Sequence, residues 1–172
     1  GFGLGYTDFG NLDSLGVAFS VIPYIEFNAF RQKNLKVQVG MGGSYFTKKY
    51  HPITNSNNQA VTTNVTWSFR AYLYYNLIST KQIDWRLGIG YSHHSNGHTR
   101  LLNQGYNSFL VSMSADILNP LGASEENIQK PSFSFKKSVY SYFSLRGGLG
   151  QNVLGIAFNN TKSVYTLSGD YG

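Results

Sequence analysis

The sequence predicts an all-β fold, an antiparallel transmembrane β-barrel of about eight strands that either closes on itself or forms part of a larger barrel. Three observations predict it. Apolar and polar side chains alternate with period two over runs as long as Val65 to Leu77, longer than a globular strand needs and enough to cross a bilayer at a tilt. Aromatics make up 16% of the 172 residues and charged side chains only 13%, with 19 glycines against 4 prolines, a composition suited to pleated surfaces and turns. The polar parity of these runs is mostly small and uncharged Gly, Ser and Thr with isolated charges, without the dense Lys and Glu that cover soluble β proteins. A soluble barrel with an apolar interior shows the same alternation, so the composition of the polar face decides between the two. No apolar stretch reaches the roughly 18 residues of a spanning helix. The one from Val17 to Ile25 is broken by Ser20 and Pro23.

The elements follow in order. Weaker alternation marks residues 1–9 and 14–29. Leu35, Val37, Val39, Met41 and Tyr45 then alternate with Lys36, Gln38, Gly40, Gly42 and Ser44. Val65, Trp67, Phe69, Ala71, Leu73, Tyr75 and Leu77 alternate with Thr66, Ser68, Arg70, Tyr72, Tyr74 and Asn76. Trp85, Leu87, Ile89, Tyr91, His93 and Ser95 alternate with Asp84, Arg86, Gly88, Gly90, Ser92 and His94. Phe109, Val111, Met113, Ala115 and Ile117 continue the pattern, as do Val139, Phe143, Leu145 and Leu149, with a last run at 162–172. Trp67, Trp85, Tyr75 and Tyr45 lie near run ends, where interfacial girdles sit. Short links at Arg31–Asn34 and Ser79–Gln82 mark the periplasmic side. Long ones at Tyr50–Thr62, Asn96–Gly105 and Gly150–Thr161 mark the outside. Residues 119–135 break this rule, being long on the periplasmic side: either a segment that folds there or the start of an extension, with residues 136–172 supplying further strands. A single barrel domain over 1–172 is expected, within a polypeptide that continues beyond both abrupt ends.

Charge and composition exclude several functions. The formal charge is +6, but the cations are scattered, so nucleic acid is not an expected partner. Solvated loops and affinity for anionic lipid headgroups both account for the excess, and Arg100 with Lys48-Lys49 falls on the outer side for either role. Without cysteine, disulfides and thiolate metal sites are excluded. His93, His94 and His98 lack metal-ligand geometry on a strand, so neither metal nor cofactor is expected. Glu26, Arg70, Asp84, Arg86 and Asp116 share lumen parity and suggest a structural polar network. Leu145-Arg146-Gly147-Gly148-Leu149-Gly150 has no helix pattern after it and reads as small barrel residues rather than a phosphate loop.

Chemistry concentrates at His93-His94-Ser95-Asn96-Gly97. His93 and Ser95 stand two apart on the apolar, aromatic parity. The parity of Phe109 and Val111 carries Asn107 to the same outer wall on the next strand. A histidine and serine at a strand end are commonly ordinary girdle residues. Three polar groups gathered against hydrocarbon are costly unless they bond one another or a polar substrate.

These residues resemble the outer-membrane lipid A 3-O-deacylases of the PagL type and their acyloxyacyl hydrolase relatives. The family pattern is His-x-Ser-Asn and a small residue, followed by Asn-x-Gly-x-(Glu or Asn). Here it reads His93-His94-Ser95-Asn96-Gly97 and Asn103-Gln104-Gly105-Tyr106-Asn107, within a resemblance spanning about 15–118. The resemblance implies Ser95 as nucleophile, His93 as general base and Asn107 as third catalytic residue. It implies Asn96 as oxyanion donor and Gly97, Asn103 and Gly105 as the supporting loop. It also implies an esterase of the bacterial outer membrane acting on lipid A of lipopolysaccharide, alone, as a homodimer or within an outer-membrane complex. Asn107 stands where some members carry Glu. An Asn orients an imidazole without balancing its charge. An inactive barrel serving as an accessory subunit, and a small channel, are the alternatives from other classes.

Overall fold

Eight antiparallel strands follow one another around the molecule: β1 (Phe2–Asp8), β2 (Val17–Asn28), β3 (Leu35–Phe46), β4 (Val65–Ser79), β5 (Ile83–Ser95), β6 (Tyr106–Asn119), β7 (Ser141–Val153) and β8 (Lys162–Tyr171). The computed structural model describes residues 1–29, 34–97, 99–119, 141–153 and 162–172. β1 pairs with both β2 and β8, Phe2 lying opposite Pro23 on one side and Tyr171 on the other. The barrel therefore closes within this chain, as the first of the two arrangements expected from the sequence, and not as part of a larger one. Closure leaves no unpaired strand edge. Pro23 does not end its strand. It falls at a gap in the β2–β3 ladder, where a missing N–H costs no hydrogen bond.

The alternation read from the sequence becomes the two faces of the wall. Leu4, Phe19, Ile25, Trp67, Ile89, Val111, Leu149 and Tyr165 all face outward and are more than half exposed. An apolar belt of this extent around the whole circumference requires hydrocarbon as its medium, as in a transmembrane barrel. Between β4 and β5 the register shifts at Asn76/Ile78, and Leu77 and Ile78 both come to the outer surface.

Inside, Asp170 receives Arg70 at 2.8 Å and Arg146 at 2.5 Å. Arg86 pairs with Asp116 and, at 3.0 Å, with Glu26. Tyr72 and Tyr74 stack at 5.3 Å with the Arg146 guanidinium 5.0 and 4.9 Å from their rings. Paired side chains thus pack the bore, against the channel alternative. Asp84 forms none of these pairs. It sits half-buried at the start of β5, opposite Asp116 in the ladder.

Phe9, Phe46 and Tyr106 close one end as a stacked, fully buried plug, Phe9 lying 4.3 Å and Phe46 5.3 Å from Tyr106. The β3–β4 connection folds over that plug, burying Asn58, Ala60 and Val61. Its Gln59 and Ala60 carbonyls accept the Gln104 and Gly105 N–H groups at 3.2 and 2.9 Å, which ties down the β5–β6 loop. Of the other connections read from the sequence, residues 31–33, 120–140 and 154–161 lie outside the described residues, and with them nearly all of 119–135.

Candidate active site

β5 carries Tyr91, His93 and Ser95 on its outward parity, and the hairpin to β6 brings Asn107 opposite His93. On the other side Ser95 lies opposite Trp67 of β4. Directly opposed side chains in an antiparallel ladder are in reach of each other, and here they bond. Asn107 Oδ1 accepts hydrogen bonds from His93 Nδ1–H at 2.7 Å and from the Tyr91 hydroxyl at 2.6 Å. An amide oxygen only accepts, so Nδ1 carries a proton, and in the neutral imidazole Nε2 is then the nitrogen with the lone pair. Tyr91 was not singled out from the sequence. Its only signal there is its place two residues before His93 on the same face.

Gly105 has φ +70°, and a Cβ there would stand 3.0 Å from His93 Cε1, 2.9 Å from the His94 carbonyl oxygen and 3.6 Å from Ser95 Cβ. The bare backbone of Gly105 therefore lies against both the imidazole edge and Ser95 Cβ. With His93 as the catalytic base that the resemblance implies, Gly105→Ala is expected to lower ester hydrolysis by tenfold or more, because the backbone strain and the new methyl both displace the imidazole. Initial rates, with the heat-modifiable gel shift of the folded barrel as a control, check this. Gly97, at φ +60°, lies against Trp67, whose Cδ1 would be 3.2 Å from an added Cβ.

Asn96 sits differently from what an oxyanion donor needs. Following Ser95 by one residue, it falls on the opposite face. It is 2% exposed. Its Nδ2 donates to Thr62 Oγ1 at 2.5 Å and to the Arg100 carbonyl at 3.0 Å. Its backbone N–H donates to Asn103 Oδ1 at 3.0 Å. Asn96 thus pins the β5–β6 loop from within, and its hold on Asn103 Oδ1 leaves Asn103 Nδ2 as the donor of that pair.

The chain also holds an inward Ser–His arrangement. His94 Nδ1 pairs with Ser68 Oγ at 2.8 Å, Ser68 with Ser44 at 2.5 Å, and Ser44 with Ser20 at 2.5 Å. This line runs through the bore, with Phe9 and Phe46 edge-on to the buried His94 ring. It is shielded from the outer wall on which His93 and Ser95 lie. His98 lies outside the described residues. Lys48, Lys49 and Arg100 are exposed in the long connections at the Ser95 end of the barrel.

Comparison with protein-family profiles matches residues 1–116 to lipid A 3-O-deacylase (PagL). The chain belongs to the PagL family. The match reaches into β6 and so includes His93, Ser95, Asn96, Gly97, Asn103, Gly105 and Asn107, and it begins earlier than the stretch from 15 that the motif suggested. Neither the search of curated proteins nor that of solved structures returned a match. PagL proteins are outer-membrane lipid A deacylases, hence ester hydrolases, and the closed barrel with its apolar outer surface agrees with that class.

Proposed function

We propose that this PagL-family protein removes a fatty acyl chain from lipid A in the outer membrane, using Ser95 and His93 on the lipid-facing wall. The observation that carries the reading is the His93 Nδ1–Asn107 Oδ1 hydrogen bond on the outward face beside Ser95, because it leaves Nε2 as a base. Ser95 Oγ attacks the ester carbonyl as its proton passes to Nε2. The sugar hydroxyl leaves with that proton, and water, activated by the same nitrogen, frees the fatty acid from Ser95. Resting hydrolases commonly hold the nucleophile–base contact long and tighten it with substrate. The family resemblance assigned the oxyanion to Asn96. With that side chain engaged inside, Asn103 Nδ2 is the better donor, and Asn96 N–H orients it. Substrate diffusing in the outer leaflet meets this site from the membrane, with no soluble-ligand pocket needed.

Mass spectrometry of lipid A from cells carrying the wild type, Ser95→Ala or His93→Ala tests the reading. Loss of one acyl mass in the wild type alone supports it. Identical spectra favour an accessory subunit, in a dimer or a larger outer-membrane complex.

The third residue gives a separate prediction. Asn107→Leu keeps the volume but removes the acceptor for Nδ1–H, and is expected to lower kcat about 10²-fold by freeing the imidazole. Asn107→Asp keeps the geometry and adds the missing charge, and is expected to match or exceed the wild-type rate. Fatty acid release from purified lipid A measures both.

A further inference from the structure

Asn107 holds the imidazole with an amide, and an amide has two unlike ends. With Oδ1 towards His93, at 2.7 Å, the ring keeps its proton on Nδ1. Turned half a revolution about Cβ–Cγ, the same side chain would offer Nδ2–H to Nδ1. The imidazole proton would then sit on Nε2, and the ring could not take a proton from Ser95. The two orientations fill the same volume, so packing alone does not choose between them. A carboxylate poses no such choice, because both of its oxygens accept.

Tyr91 makes the choice. It is diagonal to Asn107 across the β5–β6 ladder, where His93 lies opposite Asn107 and Tyr91 opposite Phe109. Diagonal neighbours stand about 7–8 Å apart, within reach of an aromatic side chain but not of a short one. Phe109 packs on the half-buried Tyr91 ring in tilted contact at 5.3 Å and steadies it. The Tyr91 hydroxyl donates to Asn107 Oδ1 at 2.6 Å, beside the bond from His93 Nδ1. The two bonds use the two lone pairs of that oxygen. With the amide reversed, the phenol oxygen would have to accept from Nδ2, and its own proton would point at hydrocarbon. An unpaired O–H is costly on such a wall, where no water takes it. We propose that the Tyr91 hydroxyl is a positioning group that locks the Asn107 amide oxygen on His93. It thereby holds the imidazole in the tautomer that can act as a base, an assignment that rests on the hydrolase reading above. The phenol does by donation what a carboxylate at 107 would do by symmetry.

Tyr91→Phe removes the hydroxyl and keeps the ring against Phe109. On purified lipid A in detergent micelles it is expected to lower kcat about tenfold, because a share of the molecules then holds the wrong tautomer, with KM within about twofold of the wild type. In the Asn107→Asp background the same change is expected to cost less than about threefold, since a carboxylate has no wrong end. Tyr165→Phe, which removes an outward hydroxyl on β8, leaves kcat at the wild-type value. A second readout needs no turnover. With isotope-labelled histidine nitrogens, and the His93 signals assigned by their loss in His93→Ala, NMR of the neutral imidazole shows which nitrogen carries the proton. Nδ1–H in the wild type and a rise of Nε2–H in Tyr91→Phe support the proposal. Equal losses of kcat in the two backgrounds, or a tautomer that Tyr91→Phe does not move, with Ser95→Ala inactive, overturn the positioning role alone. Full hydrolysis by Ser95→Ala overturns the catalytic reading and this role with it.

Discussion

Ser95→Ala is expected to abolish deacylation, lowering the rate by at least about 10³-fold, and His93→Ala is expected to do nearly the same. In the proposed reaction the two act as one unit, because a serine hydroxyl is a poor nucleophile until a base takes its proton. The double variant is therefore expected to fall little further than either single one. That non-additivity separates catalysis from packing, since two independent structural losses would multiply. Both side chains lie on the outward face and carry no part of the bore network, so the barrel should form in each variant. The measurement is fatty acid release from lipid A vesicles at matched amounts of folded barrel. Full activity in Ser95→Ala would transfer the role to another nucleophile. The inward Ser68–His94 pair is a poor replacement, being buried in the bore beneath the aromatic plug.

Asp170→Ala is expected to destabilise the barrel by about 3–5 kcal/mol. Its carboxylate holds Arg70 and Arg146 together, with side-chain exposures of 0%, 7% and 3%. Removing it leaves two buried guanidiniums without the carboxylate that bridges them, and breaking such a pair costs far more than forming it gained. The damage falls at the seam: Asp170 lies on β8 opposite Gly3 of β1, where the barrel closes. Gly3 is part of the same device, because a Cβ there would collide with the Asp170 carboxylate and stand 2.5 Å from Arg70 Nη2. The midpoint of urea unfolding in detergent, followed by the gel shift of the folded form, reads the loss. A midpoint equal to that of the wild type would show these charges to be well hydrated.

Much of this molecule was legible as a sequence because a β-strand has a period that matches the alphabet. Alternation at Leu35–Tyr45, Val65–Leu77 and Trp85–Ser95 gave the strands, their inward and outward faces and the outward position of His93 and Ser95. Carrying the same parity over one hairpin reached Asn107. Arg70, Arg86, Glu26 and Asp116 were recognisable as bore residues for the same reason, each being a charge on the face opposite the apolar one.

Other features have no local signature. Whether the sheet closes depends on β1 meeting β8 from the far end of the chain, and neither strand's sequence states its partner. Asn96 looked available to an oxyanion, but its engagement with Thr62 depends on a loop that crosses the barrel mouth from another hairpin. Tyr91 read as one more lipid-facing aromatic until its hydroxyl was found on Asn107. A groove of about 750 Å³ on the outer wall is a shape made by residues from five strands, β3 to β7. By itself the sequence determined the pleat: which residues face hydrocarbon, which face the bore, and that an imidazole, a hydroxyl and an amide share one wall. The tertiary structure alone decided closure, hydrogen-bond partners and surface relief, because these depend on distances between residues far apart in the chain, which periodicity does not encode.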